Sequence, residues 1–266
     1  MGEIFRKPTP SIQLSWTGER LTSGALGEVE IEHFHRYLLA RELTRGLDVI
    51  DVASGEGYGS SLIAQSAKSV LGVELSEDAA SHAQREYGNM NLRFEVGDAR
   101  ALPAADASMD VVVSFETLEH FFEHEQFFLE ARRVLRPTGF LLVSTPDLNV
   151  YSPSRTAPNP YHVHELTYQE FEKVLRRNFK FFSICGQRMI AGSILGAPDS
   201  NGETITFERR DEGFFEASRG IPRAKYLLGV ASMAQLPPIP SSFLSRRRMS
   251  KSFFSTRAKV RREIWL

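Results

Sequence analysis

The sequence is short of cysteine and of long apolar runs, and both shortages exclude classes of protein. Cys185 is the single cysteine among 266 residues, so no disulfide can form within the chain, and we expect a reducing, cytoplasmic compartment. No apolar run reaches the roughly 18 residues that a membrane-spanning helix needs. The opening residues, MGEIFRKPTP, contain no apolar signal core, so we expect no export.

The net charge of −1 conceals an asymmetry along the chain. Residues 241–266 carry eight arginines and lysines against the single Glu263, a net charge of +7, which leaves −8 on residues 1–240. A basic segment of this kind predicts an anionic partner. Because Phe253, Phe254 and Trp265 are interleaved with the cations, we expect peripheral contact with the inner face of a membrane and no nucleic-acid partner. The alternative is a solvated C-terminus, and the oligomeric state stays open.

Short apolar runs alternate with amphipathic segments, which predicts an α/β fold with a parallel sheet covered by helices on both faces. The predicted strands lie at 47–53, 69–75, 92–96, 110–115, 140–146, 179–187 and 225–232. The predicted helices lie at 28–43, 58–67, 76–87 and 123–135, with one more after the capping box of Thr167 and Glu170. We divide the chain into an N-terminal segment and helix (1–44), a main domain (45–233) with a glycine-rich, charged insertion (188–224), and a basic tail (234–266).

A glycine-rich loop, VIDVASGEGYGSS, follows the first predicted strand and opens a helix. Its glycines occupy every second position, at Gly55, Gly57 and Gly59. Such loops bind several cofactors, dinucleotides included. Ser60 stands where the dinucleotide fingerprint requires its third glycine, and Glu56 would face and repel a pyrophosphate. The loop therefore favours a cofactor that carries an ammonium and a sulfonium group over a nicotinamide dinucleotide.

Two further carboxylates fall at predicted strand ends. Glu74 ends the second strand, where it can accept hydrogen bonds from both hydroxyls of a ribose. Asp98 follows the third strand, where it can accept from an adenine amino group. Solvated loop ends are the alternative interpretation, but both acids occupy the edge at which open α/β sheets bind ligands.

Five motifs in order resemble the class I S-adenosylmethionine-dependent methyltransferases. They are VIDVASGEGYG, GVELS, VGDARALP, DVVVSFETLEHF and RVLRPTGFLLVSTP, and the resemblance extends over about residues 45–233. It implies a doubly wound, Rossmann-like sheet of seven strands in the order 3-2-1-4-5-7-6, with the last strand antiparallel. It also implies a cofactor site lined by Asp51, Ala53, Gly55, Gly57, Glu74, Asp98, Ala99 and Phe115.

A narrower resemblance comes from the flanks of these motifs. TGERL (17–21), EHFHRY (32–37) and NPYHVHELT (159–167) resemble methyltransferases encoded with bacterial polysaccharide and glycolipid enzymes. That resemblance implies a glycan or glycolipid acceptor, and it places Arg36 near the methionine carboxylate of the cofactor. The alternative for Arg36 is a surface charge on a helix.

The stretch FETLEH puts two carboxylates and an imidazole directly behind the apolar run DVVVS. If it forms one helical turn, Glu116, Glu119 and His120 share a face, because positions i, i+3 and i+4 do. With His162, or secondly His164, from the loop after the fifth strand, they would form a site for Mg²⁺, Mn²⁺ or Fe(II).

This set resembles the Glu-x-x-Glu-His and distant histidine of small-RNA 2′-O-methyltransferases and of ubiquinone-pathway O-methyltransferases. It implies that the metal holds the acceptor oxygen, so Glu119, His120, His162 and His164 are the catalytic candidates. The alternative is a metal-free site in which Glu116 and Glu119 cap the next helix and His162 is a simple general base.

The function predicted from these patterns is O-methylation of a sugar, glycan or glycolipid. Three alternatives stay open. One is an O-methyltransferase for a small aromatic or quinone-like acceptor, and another is a cofactor-binding scaffold without catalysis in a polysaccharide assembly complex. The third, a nicotinamide oxidoreductase, is disfavoured by the glycine spacing and by Glu56.

Overall fold

The computed structural model describes residues 3–12, 14, 27–152, 159–190, 204–209 and 214–245. Two features predicted from the sequence lie outside these residues: the TGERL motif at 17–21, and the basic tail from residue 246 onward.

A seven-stranded mixed sheet forms the centre of the fold, in the order β3-β2-β1-β4-β5-β9-β6. Its first five strands are parallel, and β9 pairs antiparallel with both β5 and β6. This order confirms the predicted Rossmann-like topology. The strands are β1 (Asp48–Val52), β2 (Ser69–Glu74), β3 (Leu92–Val96), β4 (Met109–Phe115), β5 (Leu135–Pro146), β6 (Phe181–Gln187), β7 (Ile205–Arg209), β8 (Phe215–Arg219) and β9 (Tyr226–Ser232).

Six α-helices and one 3₁₀ turn accompany the strands in the described residues. They are α1 (Glu28–Leu43), α2 (Tyr58–Ala64), α3 (Glu77–Tyr87), the 3₁₀ turn Leu118–His120, α4 (His124–Val134), α5 (Leu148–Tyr151) and α6 (Tyr168–Asn178). The predicted capping box starts α6, since the Thr167 hydroxyl accepts from the Glu170 N–H while the Glu170 carboxylate accepts from the Thr167 N–H.

The sheet separates two apolar cores, because successive residues of a strand point to opposite faces. Val49 belongs to the first core, with residues of α1, α2 and α3. Its neighbour Ile50 belongs to the second, with residues of α4 and α6. The helices therefore cover both faces, and the carboxyl ends of β1, β2, β4 and β5 remain together at one edge, which we call the carboxyl edge.

The insertion at 188–224 is not simply a loop. It contains β7 and β8, which pair with each other as an antiparallel hairpin separate from the main sheet. In the described part of the chain, no helix is both long enough and apolar enough to cross a membrane.

Candidate active site

The glycine loop folds back onto the end of β2. The Ser54 N–H donates to the Val73 carbonyl at 3.0 Å, and the Gly55 N–H donates to the Glu74 carboxylate at 2.9 Å. Ala53 has a φ of 60°, in the left-handed region that non-glycine residues rarely adopt. Such backbone strain clusters at ligand sites, and here it lies between the ends of β1 and β2.

Gly57 is required by both its conformation and its surroundings. Its φ is 94°, and a Cβ there would lie 2.8 Å from the Ala83 Cβ and 2.9 Å from the Phe94 ring. The loop is thus packed directly against α3 and β3, with no space for a side chain.

Asp51, the last acid before the loop, is fully buried under α1 and α2. Ser60 donates to its carboxylate at 2.5 Å, and the Tyr37 hydroxyl lies 3.4 Å from both carboxylate oxygens. Burial raises the pKa of Asp51 to about 7. The hydrogen bond also explains why Ser60 stands where the dinucleotide fingerprint has its third glycine. The Ser60 hydroxyl satisfies a carboxylate that has no access to water.

The two acids at the strand ends both lie at the carboxyl edge. Glu74 accepts from the Ser76 N–H at 3.1 Å in addition to that of Gly55. The Asp98 carboxylate accepts from two guanidinium nitrogens of Arg100, at 2.9 and 2.7 Å, and from the backbone N–H of Arg100. The same guanidinium lowers the pKa of Asp98. Ala99, next to it, is partly buried.

Glu56 does not face outward from the loop, and this corrects the expectation from the sequence. Its side chain is fully buried, accepts from the Leu14 N–H at 3.3 Å and lies 3.9 Å from His82 Nε2 on α3. The repulsion of a pyrophosphate by Glu56 therefore loses its basis. The glycine spacing and Ser60 still distinguish the loop from the dinucleotide fingerprint.

Three side chains with metal-ligating atoms meet beyond the end of β4. One ligand atom from each of Glu119, His120 and His162 lies within 4.8 Å of the others. The Glu119 carboxylate is buried, and neither oxygen has a hydrogen-bond partner among the described residues. Burial, and then the charge of Glu116, raises the pKa of Glu119 well above its usual range.

Both imidazoles of this group are oriented through Nδ1. His120 Nδ1 lies 3.0 Å from the Tyr161 carbonyl, and His162 Nδ1 lies 2.6 Å from the Glu165 carboxylate. Because these oxygens can only accept, each Nδ1 donates, and the neutral ring carries its lone pair on Nε2. Metal-binding histidines show this arrangement, in which the nitrogen that faces away from the metal donates to an oxygen.

The loop that carries His162 is fastened to the 3₁₀ turn by its backbone. The Glu119 carbonyl accepts from the N–H groups of Val163 and His164, at 2.8 and 3.1 Å. His164 itself points elsewhere, since its ring stacks on that of His124 at 5.0 Å between centroids. Of the two candidate histidines in this loop, the structure thus brings only His162 to Glu119.

Glu116 lies apart from this group, because the expected helical turn over 116–120 does not form. Only Leu118–His120 is helical, and Glu116 has a φ of 53° in the left-handed region. Its carboxylate instead accepts from the Ser144 hydroxyl at 2.6 Å and lies 3.8 Å from Arg36 Nη2. Helix capping is not seen either, since α4 has no side-chain hydrogen bond at its N-terminus.

Comparison with known proteins is consistent with this geometry. Residues 50–143 match the family model described as "Methyltransferase domain". The chain is 40% identical over 165 residues to a Mycolicibacterium smegmatis protein named "Probable S-adenosylmethionine-dependent methyltransferase", covering 61% of this chain and 63% of that protein. It therefore spans less than two thirds of that relative's length. A fatty-acid O-methyltransferase of the same species is 30% identical over 122 residues, 45% of this chain and 44% of its own.

A solved structure shares the fold. The SAM-dependent methyltransferase from Thermotoga maritima aligns with a TM-score of 0.52 at 17% identity, covering 77% of this chain and 91% of that one. Residues 50–143 thus resemble a methyltransferase domain, and the described residues have the fold of this solved methyltransferase.

Helix α1 supplies Arg36 to the carboxyl edge of the sheet. The guanidinium is 2% exposed, donates to Gln187 at 2.6 Å and stacks 4.7 Å over the Tyr226 ring. Its Nε and Nη2 have no hydrogen-bond partner among the described residues. Arg36 is therefore not a surface charge. Phe115, also predicted at the cofactor site, is buried edge-on against Tyr37, with the ring centroids 5.1 Å apart.

A cavity of about 320 Å³ opens at the same edge of the sheet. It is lined by Glu28, Glu32, Val150, Arg188, Met189, Arg223 and Lys225. A second cavity, of about 370 Å³, lies at the opposite edge, where β5 begins. Only the first is close to the chemistry, because α5, which contains Val150, also places Tyr151 5.5 Å from the His162 ring.

The sequence interpretation missed the residues that support the site. Glu165, Gln187 and Tyr226 were not singled out, although each holds a predicted site residue in place. Glu165 could have been found, since it stands three residues after His162. The other two could not, because the antiparallel pairing of β6 and β9 brings them to Arg36 from far along the chain.

Proposed function

We propose that the chain binds S-adenosylmethionine and transfers its methyl group to an oxygen of a glycan or glycolipid acceptor. The buried carboxylate of Glu119, without a hydrogen-bond partner and beside two oriented imidazoles, carries this proposal. An unpaired buried carboxylate is costly unless a ligand completes its environment. The relative named fatty-acid O-methyltransferase supports oxygen as the acceptor atom.

The residues at the carboxyl edge fit the charges of the cofactor. Two buried nitrogens of Arg36, Nε and Nη2, have no hydrogen bond among the described residues, and they suit the methionine carboxylate. Glu74 and Asp98, at the ends of β2 and β3, suit the ribose hydroxyls and the adenine amino group.

Calorimetry with S-adenosylmethionine and with NAD tests the cofactor. We expect Glu74→Ala to weaken binding of the adenosyl cofactor by about 10- to 100-fold, since a hydrogen bond to a charged group contributes about 1.5–3 kcal/mol. Glu95→Ala removes a carboxylate from the neighbouring strand, where it pairs with Arg93, and should leave affinity unchanged. Tight binding of NAD with none of S-adenosylmethionine would refute this assignment.

A divalent cation fits the group of Glu119, His120 and His162. A carboxylate with two imidazoles and open positions suits Mg²⁺, Mn²⁺ or Fe(II), and the Nδ1 hydrogen bonds give the rings the orientation that ligation needs. Bound there, such an ion would lower the pKa of the acceptor hydroxyl. Within the chain, Glu165 fixes the His162 ring and Tyr161 fixes that of His120.

The bond between His162 and Glu165 favours a second candidate, general-base catalysis without a metal. The acceptor oxygen attacks the methyl carbon as the carbon–sulfur bond breaks, and the hydroxyl proton passes to His162 Nε2. Glu165, 2.6 Å from Nδ1, stabilises the imidazolium that forms. In this mechanism no ligand offsets the free-energy cost of burying the Glu119 carboxylate.

Chelation with metal add-back distinguishes the two candidates. We expect EDTA to abolish methyl transfer, Mg²⁺ or Mn²⁺ to restore it, and Glu119→Gln and His162→Ala each to abolish turnover with nearly unchanged cofactor affinity. Glu123→Gln changes an exposed carboxylate that pairs with Arg100, and should retain activity. Activity that survives EDTA, in a protein that contains no metal by elemental analysis, would leave only the base mechanism.

The charged lining of the 320 Å³ cavity supports a hydroxylated acceptor, because its carboxylates and cations can hydrogen-bond sugar hydroxyls. Mass spectrometry of glycans and glycolipids from cells with and without the gene identifies the acceptor. A methylated quinone or small phenol lost with the gene would favour the aromatic alternative. If the protein binds the cofactor but cells without the gene lose no methylated product of any class, the result would favour the scaffold.

A further inference from the structure

The hairpin of β7 and β8 is amphipathic in the reverse of the usual sense. Its two strands show the same alternation of exposed and half-buried residues. The half-buried face is polar and the exposed face is largely apolar. The polar face consists of Thr206, Glu208, Glu216 and Ser218, and the exposed face of Ile205, Phe207, Arg209, Phe215, Ala217 and Arg219.

The polar face is fastened to the domain. Glu208 pairs with Arg188, at 2.7 Å, and with Arg223. Glu216 pairs with the same Arg223 at 3.3 Å. These contacts fix which face of the hairpin points inward, so the apolar face points away from the domain.

The outward face is too apolar for an ordinary solvent-exposed surface. Phe207 and Phe215 are 69% and 75% exposed, and Ile205 and Phe214 are also exposed. Contiguous exposed apolar side chains of this size mark interaction surfaces. Arg209 and Arg219 lie at the borders of the face, each opposite an apolar residue on the other strand.

We propose that this outward face docks onto a lipid bilayer with anionic headgroups. Aromatic side chains that enter the headgroup region, bordered by arginines that meet phosphates, are the pattern of peripheral membrane contact. Residues 210–213, outside the described part, include one arginine, one aspartate and one glutamate. We therefore assign the preference for anionic lipid to Arg209 and Arg219. The aromatic rings are the groups that enter the bilayer.

Two further observations favour a membrane over a second copy of the chain. The described part ends at Ser245, just after Ser242 and Leu244 contact α1 and the core around it, and the next residues are Arg246, Arg247 and Arg248. Helix α1 also lines the 320 Å³ cavity together with Arg188 and Arg223, which hold the hairpin. The last described residues thus contact the helix that lines this cavity, and the basic residues follow them in the sequence.

The position of the hairpin gives docking a consequence for the acceptor. It is inserted between Gln187 and Tyr226, which pair at the carboxyl edge, so the face lies on the side of the molecule where the cavity opens. Docking would present the cavity to a lipid-linked acceptor. This last step rests on the proposed function, whereas the docking itself does not.

Vesicle co-sedimentation of the full chain tests the docking. We expect binding to phosphatidylglycerol–phosphatidylcholine vesicles, and a loss of about tenfold or more in the Phe207→Ser/Phe215→Ser variant. The Arg209→Gln/Arg219→Gln variant should show a smaller preference for vesicles that contain phosphatidylglycerol over vesicles of pure phosphatidylcholine. The control Ile4→Ser/Met90→Ser changes two nearly fully exposed apolar residues outside the hairpin and should bind like the wild type.

A tryptophan probe gives an independent measurement. Phe207→Trp should show a blue-shifted emission with vesicles and quenching by brominated lipid, relative to the wild type. Equal binding of the wild type and Phe207→Ser/Phe215→Ser would overturn the proposal, as would binding that only removal of residues 246–266 reduces. So would a dimer in sedimentation equilibrium that Phe207→Ser/Phe215→Ser converts to a monomer. Cofactor affinity should not change in any hairpin variant, which separates this failure from that of the proposed function.

Discussion

Arg36, Asp51 and Glu119 are ionisable side chains that the fold keeps buried within reach of one edge of the sheet. Isolated buried charges are costly, and proteins retain them where a partner or ligand completes them. Asp51 has its partners within the fold, whereas Arg36 and Glu119 each retain polar atoms without a hydrogen bond among the described residues. This difference separates the residue that shapes the loop from those expected to meet a ligand.

Asp51 should make the stability of the domain depend on pH. Because its pKa is raised to about 7, the folded state retains a proton between about pH 4 and 7 that the unfolded state has released. The free energy of unfolding should therefore fall as pH rises through that window, by on the order of 1.4 kcal/mol per pH unit near its middle. Asp51→Asn should remove this slope.

Urea unfolding at pH 5, 6, 7 and 8 measures this effect. Asp106→Asn is the matched control, since its side chain is 79% exposed and the variant should keep the wild-type slope. Parallel pH profiles for the wild type and Asp51→Asn would show that burial does not raise this pKa.

At the site, residue types could be predicted from the sequence better than their placement. Glu119 and His120 of FETLEH come together with His162 of the loop after the fifth strand, as the sequence predicted. Glu116 does not, because a left-handed residue and a 3₁₀ turn replace the helical turn that the spacing argument assumed. Periodicity carries no information on such a backbone reversal, since it depends on the Ser144 hydroxyl on β5.

Among the elements, the glycine loop joins backbone conformation to packing most directly. Gly57 combines a positive φ with close contacts, whereas a Cβ added at Gly46, which has a φ of 73°, would meet nothing within 4 Å. An alanine at Gly46 should cost only the left-handed conformation, about 1–2 kcal/mol. An alanine at Gly57 should cost more, because Ala83 or Phe94 must also move.

Chemical unfolding of Gly57→Ala and Gly46→Ala at one pH separates these contributions. We expect Gly57→Ala to be less stable than Gly46→Ala by at least about 1 kcal/mol. It should also bind S-adenosylmethionine more weakly, because the shifted loop moves the Gly55 N–H away from Glu74. Equal stability of the two variants would contradict the close packing of the loop against α3.

Most strands of the main sheet could be predicted from alternating apolar runs. The residues at which the strands begin and end, and the hairpin, could not. Strand β5 begins at Leu135 and not at residue 140, because Leu135 pairs with Met109 across an irregularity in the ladder. The hairpin was missed because its apolar residues point outward and a charged stretch surrounds them. The alternation of apolar and polar residues predicts which face of a strand is buried, and this prediction fails where the apolar face is exposed.

For the whole molecule, the basic tail should add electrostatic attraction to membranes independently of the hairpin. Removal of residues 246–266 deletes a net charge of +7 and leaves Leu244 on the core. We expect the truncated chain to bind anionic vesicles more weakly, with a weaker dependence on salt, because each basic residue near the surface contributes about 1 kcal/mol. Co-sedimentation at low and high salt measures this, and equal sedimentation of the two chains would refute it.

The seven-stranded order was expected from the resemblance and not from the pattern of residues alone. Periodicity places a strand at 225–232 but does not say that it inserts between β5 and β6. That arrangement depends on pairing between segments far apart in the chain, which local propensity does not encode.

The position of β9 also bears on how the chain is made. Among the described strands, β6 pairs only with β9. When the ribosome has released β6, the start of this partner strand is still about 40 residues further along the chain. Until Ser232 emerges, β5 and β6 both present open edges, which are sites for mispairing between nascent chains. A stop codon before β9 would therefore yield an aggregation-prone fragment and not a smaller folded domain.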